Sequence, residues 1–272
     1  MPELPEVETV ARGLTGALKG KRFAKVELRR KDLRIPFPKG MAAALTGRRV
    51  MRIYRRAKYV LMALDDGNVL IVHLGMSGRM QIIAAKTPPD RHDHVIFTAD
   101  DGTEVRFNDP RRFGLMTVAA LKDLDEHKLF RHLGPDAMSN AFTPESLTKA
   151  LKGRKTSIKV AIMDQRLVVG VGNIYACESL FRAGISPKRK AGTVAGARAA
   201  ALVPVIKEVL AEAIAAGGSS LRDHVQPSGE LGYFQKAWRV YGREGESCGC
   251  GAPVKRIVQG GRSTFFCARC QG

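Results

Sequence analysis

The chain has 272 residues, 44 % of them hydrophobic, and 45 Lys and Arg against 26 Asp and Glu give a formal net charge of +19. That length fits one large domain or two smaller ones, and the apolar fraction excludes a disordered tail. The excess of cations defines no fold. It points to a polyanionic partner, since each phosphate neutralised by Lys or Arg releases a condensed counterion, with a generically basic surface as the plain alternative.

No segment at the start has the layout of a signal peptide, and no apolar run approaches the ~20 residues that span a bilayer. The expected compartment is the cytoplasm, with no membrane partner, and nothing argues for more than a monomer. The first residues, MPELPEVETV, crowd Glu3, Glu6 and Glu8 around Pro2. This is either an ordinary helix start or a reactive centre, because loss of the initiator methionine would leave Pro2 with a free secondary amine. From Pro5 the apolar positions Val7, Val10, Leu14 and Leu18 recur at helical spacing, with proline in the first turn and glutamates facing the positive end of the helix dipole.

Ala24, Val26 and Leu28 alternate with charged residues, as in a half-buried strand. Asp66-Gly67 and Asp101-Gly102 each sit between two apolar runs, a strong hairpin signal, so residues up to about 130 read as a β-rich domain with one leading helix. Thr143-Pro144-Glu145 is a helix start. The stretch from Lys155 to Pro187 reads as helix, glycine-containing turn, helix. Residues 197–218 form another helix that ends at Gly217-Gly218, with Pro204 placed to kink or split it, and 221–234 reads as a loop.

Cys248-x-Cys250 and Cys267-x-x-Cys270 are separated by 16 residues that read as strand, Gly260-Gly261 turn, strand. Two thiolate pairs joined by a hairpin suit tetrahedral Zn²⁺, against the alternatives of a redox dithiol or unrelated thiols. A ribbon this short has almost no core, so the metal would supply most of its folding free energy. The first pair is one residue shorter than a C-x-x-C knuckle. Cys177 reads as a buried apolar residue. Arg262 follows the glycine turn, with Lys255 and Arg256 on the strand before it, an arrangement suited to a phosphate backbone or to a solvated basic turn. Gly170, Gly172 and Asn173 lead into a helix whose backbone N–H groups could hold a phosphate, although an ordinary turn reads as well. Met76, Arg111 and Phe113 lie in apparent loops, where they could wedge into a base stack or belong to the core.

Taken together, PELPEVE at the start, RRAKY at 55–59, HLGMSG at 73–78, HDH at 92–94, NDPRRFG at 108–114, KTSIK at 155–159, GVGNIYA at 170–176 and GRSTFFCARC at 261–270 resemble the bacterial formamidopyrimidine-DNA glycosylases nearly end to end. Endonuclease VIII-type relatives usually open with glycine where this chain has Leu4, which favours the oxidised-purine branch. The resemblance implies an α+β fold: an N-terminal β-sandwich with flanking helices (1–132), a helical domain with a helix–two-turns–helix segment (133–234) and a zinc-finger hairpin (235–272), with DNA in the cleft between the halves. It implies one structural Zn²⁺ on Cys248, Cys250, Cys267 and Cys270, and as partner a duplex carrying oxidised bases or abasic sites. It also implies roles. Pro2 would be the nucleophile, Glu3 an acid/base group and Lys58 a further proton donor and phosphate contact. Arg262 would grip the phosphate at the lesion. His92, Arg111, Lys155 and Asn173 would contact DNA, Met76, Arg111 and Phe113 would fill the gap left by an everted base, and residues 219–234 would cover that base.

The chemistry fits an α-amine. Its ordinary pKa of ~7.7–8.0 leaves a useful unprotonated fraction at neutral pH, whereas a lysine at ~10.4 would need a large shift. A secondary amine forms a cationic iminium that cannot lose an N–H proton, so the neighbouring C2′ hydrogen is acidified and elimination follows. Glu3 would move protons, its pKa raised by shielding and nearby phosphates. Glu6 is expected to order the terminus as well as favour the first turn, and Glu8 to favour the helix start alone. Two other readings stay open at this point: a zinc-ribbon DNA-binding protein with an inert terminus, and an enzyme that uses Pro2 as a base on a small carbonyl substrate.

Overall fold

The structure, a computed structural model, describes residues 2–84, 87–219 and 227–272. Two compact units form along the chain, Met1–Arg131 with Ala216–Gln235, and His132–Ala215 with Lys236–Gly272.

The first unit opens with α1 (Leu4–Leu18), followed by β1 (Phe23–Leu28), the short α2 (Met41–Leu45), β2 (Val50–Arg56), β3 (Tyr59–Leu64), β4 (Asn68–His73), β5 (Arg79–Ile83), β6 (Asp93–Ala99), β7 (Glu104–Asn108) and β8 (Leu115–Ala120). The strands make two antiparallel four-stranded sheets, β1-β6-β7-β5 and β2-β3-β4-β8. Both aspartate-glycine turns close hairpins as expected, β3–β4 and β6–β7. One face of each sheet alternates into a common core: Val60, Met62 and Leu64 from β3, Val95 and Phe97 from β6, Val105 and Phe107 from β7. The α1 residues Val7, Val10, Leu14 and Leu18 enter the same core, each at most 1 % exposed. Each such side chain contributes about 1.5–3 kcal/mol of transfer free energy, which fixes the start of α1 onto the sheets.

Stretches on either side of the undescribed 220–226 return to this unit: the Ser219 N–H donates to a Glu6 carboxylate oxygen, and the Pro227 carbonyl accepts the Ile82 N–H at 2.9 Å. The expected loop at 221–234 thus lies partly outside the described residues.

The second unit holds α3 (Pro144–Leu151), α4 (Ile158–Ile162), α5 (Asn173–Arg182), α6 (Ala197–Ala215) and the hairpin β9 (Val254–Gln259)–β10 (Arg262–Cys267). Thr143 caps α3 through a capping box with Ser146. Pro204 neither ends nor splits α6, which runs continuously from 197 to 215. Tertiary burial of Leu202, Val203, Ile206 and Leu210 outweighs the missing proline N–H. α5 packs on α6 and on β10, so the finger rests on the helical layer.

Candidate active site and zinc centre

At the N-terminus the helix-start geometry and the candidate chemistry share one carboxylate. Glu6, in the first turn of α1, reaches back so that Oε2 accepts the Glu3 N–H at 2.8 Å, while Oε1 accepts the Ser219 N–H at 2.9 Å. Gly218 lies at φ +84°, and a Cβ there would come within 3.2 Å of the Glu6 side chain. Glu6 thereby fixes the backbone next to Pro2 and joins it to Ser219. Pro2 and Glu3 are both buried. Glu8 does more than start a helix: its two oxygens meet Arg12 at 2.9 Å and Arg55 at 3.1 Å, tying α1 to β2.

Lys58 sits in a two-residue turn, Ala57-Lys58, closed by the Arg56↔Tyr59 pair of β2 and β3. Ala57 takes φ 57°, a left-handed conformation that a hairpin turn normally assigns to glycine or asparagine, and Lys58 is buried. Beside it stands His73, which the sequence reading quoted within HLGMSG but gave no role. Burial first, then the charges of Lys58 and Arg34, lower the His73 imidazole to about 4. Its Nδ1 accepts the Gly75 N–H at 3.0 Å, so the neutral ring keeps its proton on Nε2.

Met76 and Phe113 are exposed, at 39 % and 44 %, unlike the core beneath them. The Arg111 guanidinium lies 5.0 Å over the Phe113 ring. Their two segments touch at Gly75, where an added Cβ would be 2.3 Å from the Phe113 carbonyl carbon. His92 is half-buried, and its N–H donates to Asp90 Oδ1 at 2.8 Å.

In the second unit Asn173 is buried and its side chain is committed: Nδ2 donates to the Ser263 carbonyl of β10 at 2.9 Å, and Oδ1 accepts from the fully buried Lys159. Asn173 therefore holds the finger hairpin next to Arg262. Lys155 and Arg262 are exposed. Gly260 and Gly261, at φ 55° and 72°, form the two-residue turn that Arg262 closes by pairing with Gln259. Glu178, also fully buried, accepts the N–H groups of Arg239, Val240 and Tyr241 at 2.9, 3.0 and 2.8 Å, clamping the entry to the finger onto α5. Sequence reasoning passed over Lys159 and Glu178. The signal was a charge within an otherwise apolar helical stretch, which is costly to bury unless it is bonded.

The sulfurs of Cys248, Cys250, Cys267 and Cys270 all lie within 4.8 Å of one another. The Cys248–Cys270 and Cys250–Cys267 pairs are 3.8 and 3.5 Å apart. Tetrahedral Zn–S bonds of about 2.3 Å require sulfur–sulfur edges of about 3.8 Å, so the donor set fits Zn²⁺. The shortened C-x-C knuckle is accommodated by a tight turn in which the Ala252 carbonyl accepts the Cys248 N–H at 2.8 Å and Gly251 takes φ 85°. The Ala252 N–H helps pull the Cys250 thiol down to about 7, whereas hydrogen bonding with Cys250, then burial, push the Cys270 thiol up to about 12. Four thiols this close ionise together only with a cation among them. The cluster is the site of one structural Zn²⁺. Cys177 is buried against it, in a small apolar patch with Val240 and Val254.

An antiparallel two-sheet unit led by a clamped acidic helix start, and a helical unit that carries a four-cysteine finger, define a two-unit protein built around a structural zinc finger. Family descriptions match along the chain: "Formamidopyrimidine-DNA glycosylase N-terminal domain" over residues 1–116, "Formamidopyrimidine-DNA glycosylase H2TH domain" over 133–225, and "Zinc finger found in FPG and IleRS" over 250–272. The formamidopyrimidine-DNA glycosylases of Ruegeria pomeroyi and Roseobacter denitrificans are each 55 % identical, with 100 % of both chains covered. The crystal structure of the MutM (Fpg) protein from Thermus thermophilus superposes with a TM-score of 0.89 at 41 % identity, covering 100 % of this chain and 99 % of that one. Lactococcus lactis Fpg in complex with abasic-site DNA gives 0.91 at 32 % identity, covering 99 % of each chain. The chain belongs to the formamidopyrimidine-DNA glycosylase family. It is a base-excision repair enzyme, a DNA glycosylase and abasic-site lyase directed at oxidised purines. Among the described residues no helix is long and apolar enough to cross a membrane.

Proposed function

We propose that Pro2, freed by loss of Met1, is the nucleophile, and that Glu3 and Lys58 handle the protons. The observation that carries this reading is the Glu6 clamp, which holds the Glu3 N–H at 2.8 Å and so orders the backbone beside Pro2. The unprotonated amine, with an ordinary pKa of ~7.7–8.0, attacks C1′ of the damaged nucleotide. The C1′–N bond breaks and the base leaves with a proton, while sugar ring opening leaves an iminium between Pro2 nitrogen and C1′. Removal of the C2′ proton pushes electrons toward the iminium and breaks the 3′ C–O bond, releasing phosphate. Loss of the C4′ proton releases the 5′-phosphate in the same manner, and water then hydrolyses the adduct to regenerate Pro2. Glu3, beside the nucleophile, carries these protons, and Lys58 donates a further proton and contacts phosphate.

Arg262 grips the lesion phosphate. Lys155, His92, Arg111 and Asn173 contact the duplex, and the Asn173 side chain also holds β10 in place. Met76, Arg111 and Phe113 fill the space left by the everted base, and residues 219–234 cover that base. The four cysteines hold the zinc that shapes the finger. Residues 1–132, 133–234 and 235–272 act as catalytic, helical and finger modules, with 216–235 packed into the catalytic unit and the finger into the helical one. The enzyme works in the cytoplasm, drawn to the nucleoid by DNA. Its substrates are duplexes like those named for its solved relatives, with abasic sites, formamidopyrimidines or oxidised bases.

Borohydride reduction on an 8-oxoguanine duplex tests the reading. Wild type gives a covalent adduct that mass spectrometry maps to Pro2, and Pro2→Gly diminishes it. Binding without any adduct would replace this mechanism with that of a non-catalytic zinc-ribbon DNA binder.

A further inference from the structure

Three sequence stretches that read as separate motifs, HLGMSG, HDH and NDPRRFG, converge on one residue, the first and last on its carboxylate and HDH on its backbone. Asp109 is fully buried. Its Oδ1 accepts the Ser77 hydroxyl at 2.6 Å, and its Oδ2 accepts the Gly114 N–H at 2.7 Å. Its own N–H donates to the His92 carbonyl at 3.0 Å, and its carbonyl accepts both His94 Nε2 at 2.8 Å and the Arg112 N–H at 3.2 Å. Burial lowers the His94 pKa, and because a carbonyl oxygen only accepts, Nε2 carries the proton in this bond. Ser77 also accepts the Arg111 N–H, at 3.3 Å. There is no room for slack: a Cβ on Gly114 would lie 2.5 Å from Phe107 and 3.0 Å from Asp109 Oδ2, and one on Gly75 would overlap the Phe113 backbone.

We propose that Asp109 is the positioning residue that joins the Met76 loop to the Arg111–Phe113 loop, so that the three gap-filling side chains enter DNA as one preformed wedge. The inference rests on the gap-filling reading above. Asp109 touches no substrate. Its carboxylate satisfies one donor from each loop, and the wedge keeps its shape because both donors are buried where water cannot replace the carboxylate. Two loops ordered in advance need not be ordered when the base stack opens.

The test uses the full zinc-loaded protein and a duplex with a tetrahydrofuran abasic analogue and 2-aminopurine beside the orphan base, which brightens when a wedge unstacks it. Asp109→Ala, which leaves two buried donors unpaired, is expected to lose most of that rise and about tenfold or more in borohydride trapping on an 8-oxoguanine duplex. Trapping on a single-stranded abasic aldehyde, which has no stack to enter, stays near wild type. A merely structural lesion would lower both. Asp109→Asn, which keeps one acceptor, recovers part of the signal, and Ser77→Ala loses a smaller part. If Met76→Ala and Phe113→Ala abolish the fluorescence while folded Asp109→Ala leaves it intact, Asp109 has no positioning role and the gap-filling reading survives. If Met76→Ala and Phe113→Ala also leave it intact, the gap-filling reading itself falls and takes this inference with it. Should Asp109→Ala fail to fold, wild-type fluorescence in both Asp109→Asn and Ser77→Ala overturns the proposal.

Discussion

Two hairpin turns of equal length present the two candidate cations, and they are built in opposite ways. In β2–β3 the cation is in the turn itself: Lys58 is buried, and Ala57 takes a left-handed φ of 57° without being glycine. In β9–β10 the cation follows the turn: Gly260 and Gly261 take the left-handed angles at no steric cost, and Arg262 is exposed. The first turn can carry strain because β2 and β3 feed Val50, Ile53, Val60 and Met62 into the main core. The second rests, among the described residues, on a smaller patch of Val240, Val254 and the buried cysteines, with Phe181, Tyr241 and Phe265 packed against it. Its unstrained turn and its metal are the two halves of one solution. A finger without a core has no surplus from which to strain a backbone.

The largest effect expected from this contrast is metal removal. A structural Zn²⁺ contributes about 10–16 kcal/mol to small domains of this kind, more than the finger's apolar patch could replace. Chelation, or Cys267→Ser, should therefore abolish specific duplex binding while the far-UV signal of the sheets persists. Binding that survived below about 0.1 zinc per chain would break the comparison. The strand-rich unit has its own lever, pH. His73 falls from an ordinary 6.5 to about 4 in the folded state. The unfolded chain thus binds the extra proton first, and stability is intact above pH ~6.5 and lost progressively as pH falls toward ~4, by roughly 3 kcal/mol. His73→Gln should flatten that slope in urea melts. Because acid also releases zinc from thiolates, the informative quantity is the difference between wild type and variant at each pH. A smaller effect is expected at the fingertip: Arg262→Gln should weaken duplex binding uniformly and reduce the slope of log Kobs against log salt by about 1. An unchanged slope would remove Arg262 from the phosphate contacts.

The same contrast explains what could be read from the sequence. Both aspartate-glycine turns, the α1 stripe from Val7 to Leu18 and the Thr143-Pro144 cap were legible because each is a local signal with a local cause. The Gly260-Gly261 turn was legible for the same reason. The Ala57-Lys58 turn carries no turn residue and went unread, because its conformation is imposed by the paired strands on either side. So did the order β1-β6-β7-β5, in which β5 pairs with a strand that comes after it and β1 with one far along the chain. Among the site residues, the Pro2–Glu6 stretch and the cysteines could be read from type and spacing. Glu8, His73, Asp109, Lys159 and Glu178 could not, since the groups that act on them (Arg55, Lys58 with Arg34, Ser77, Asn173 and the 239–241 backbone) are brought to them by the fold.

Exchanging turn chemistry between the two hairpins should give the smallest effects and the most direct check on strain. Nothing lies within 4 Å of a Cβ built on Gly261, so Gly261→Ala tests φ alone. The left-handed angle costs an L-residue about 1–2 kcal/mol, and the stiffer unfolded chain returns about half of that. The finger should release zinc to a chelator up to several-fold more readily. Ala57→Gly works in the other direction: relief of the same strain exceeds the added unfolded-state entropy by a few tenths of a kcal/mol, and the melting temperature should rise by about 1–2 °C. The informative measurement is the lyase rate of that stabilised variant. If the strain serves to hold Lys58 at a fixed angle, Ala57→Gly slows trapping on abasic duplex while leaving duplex affinity unchanged. A variant that is both more stable and equally fast would mean that Ala57 is tolerated by the sheets and contributes nothing to the placement of Lys58.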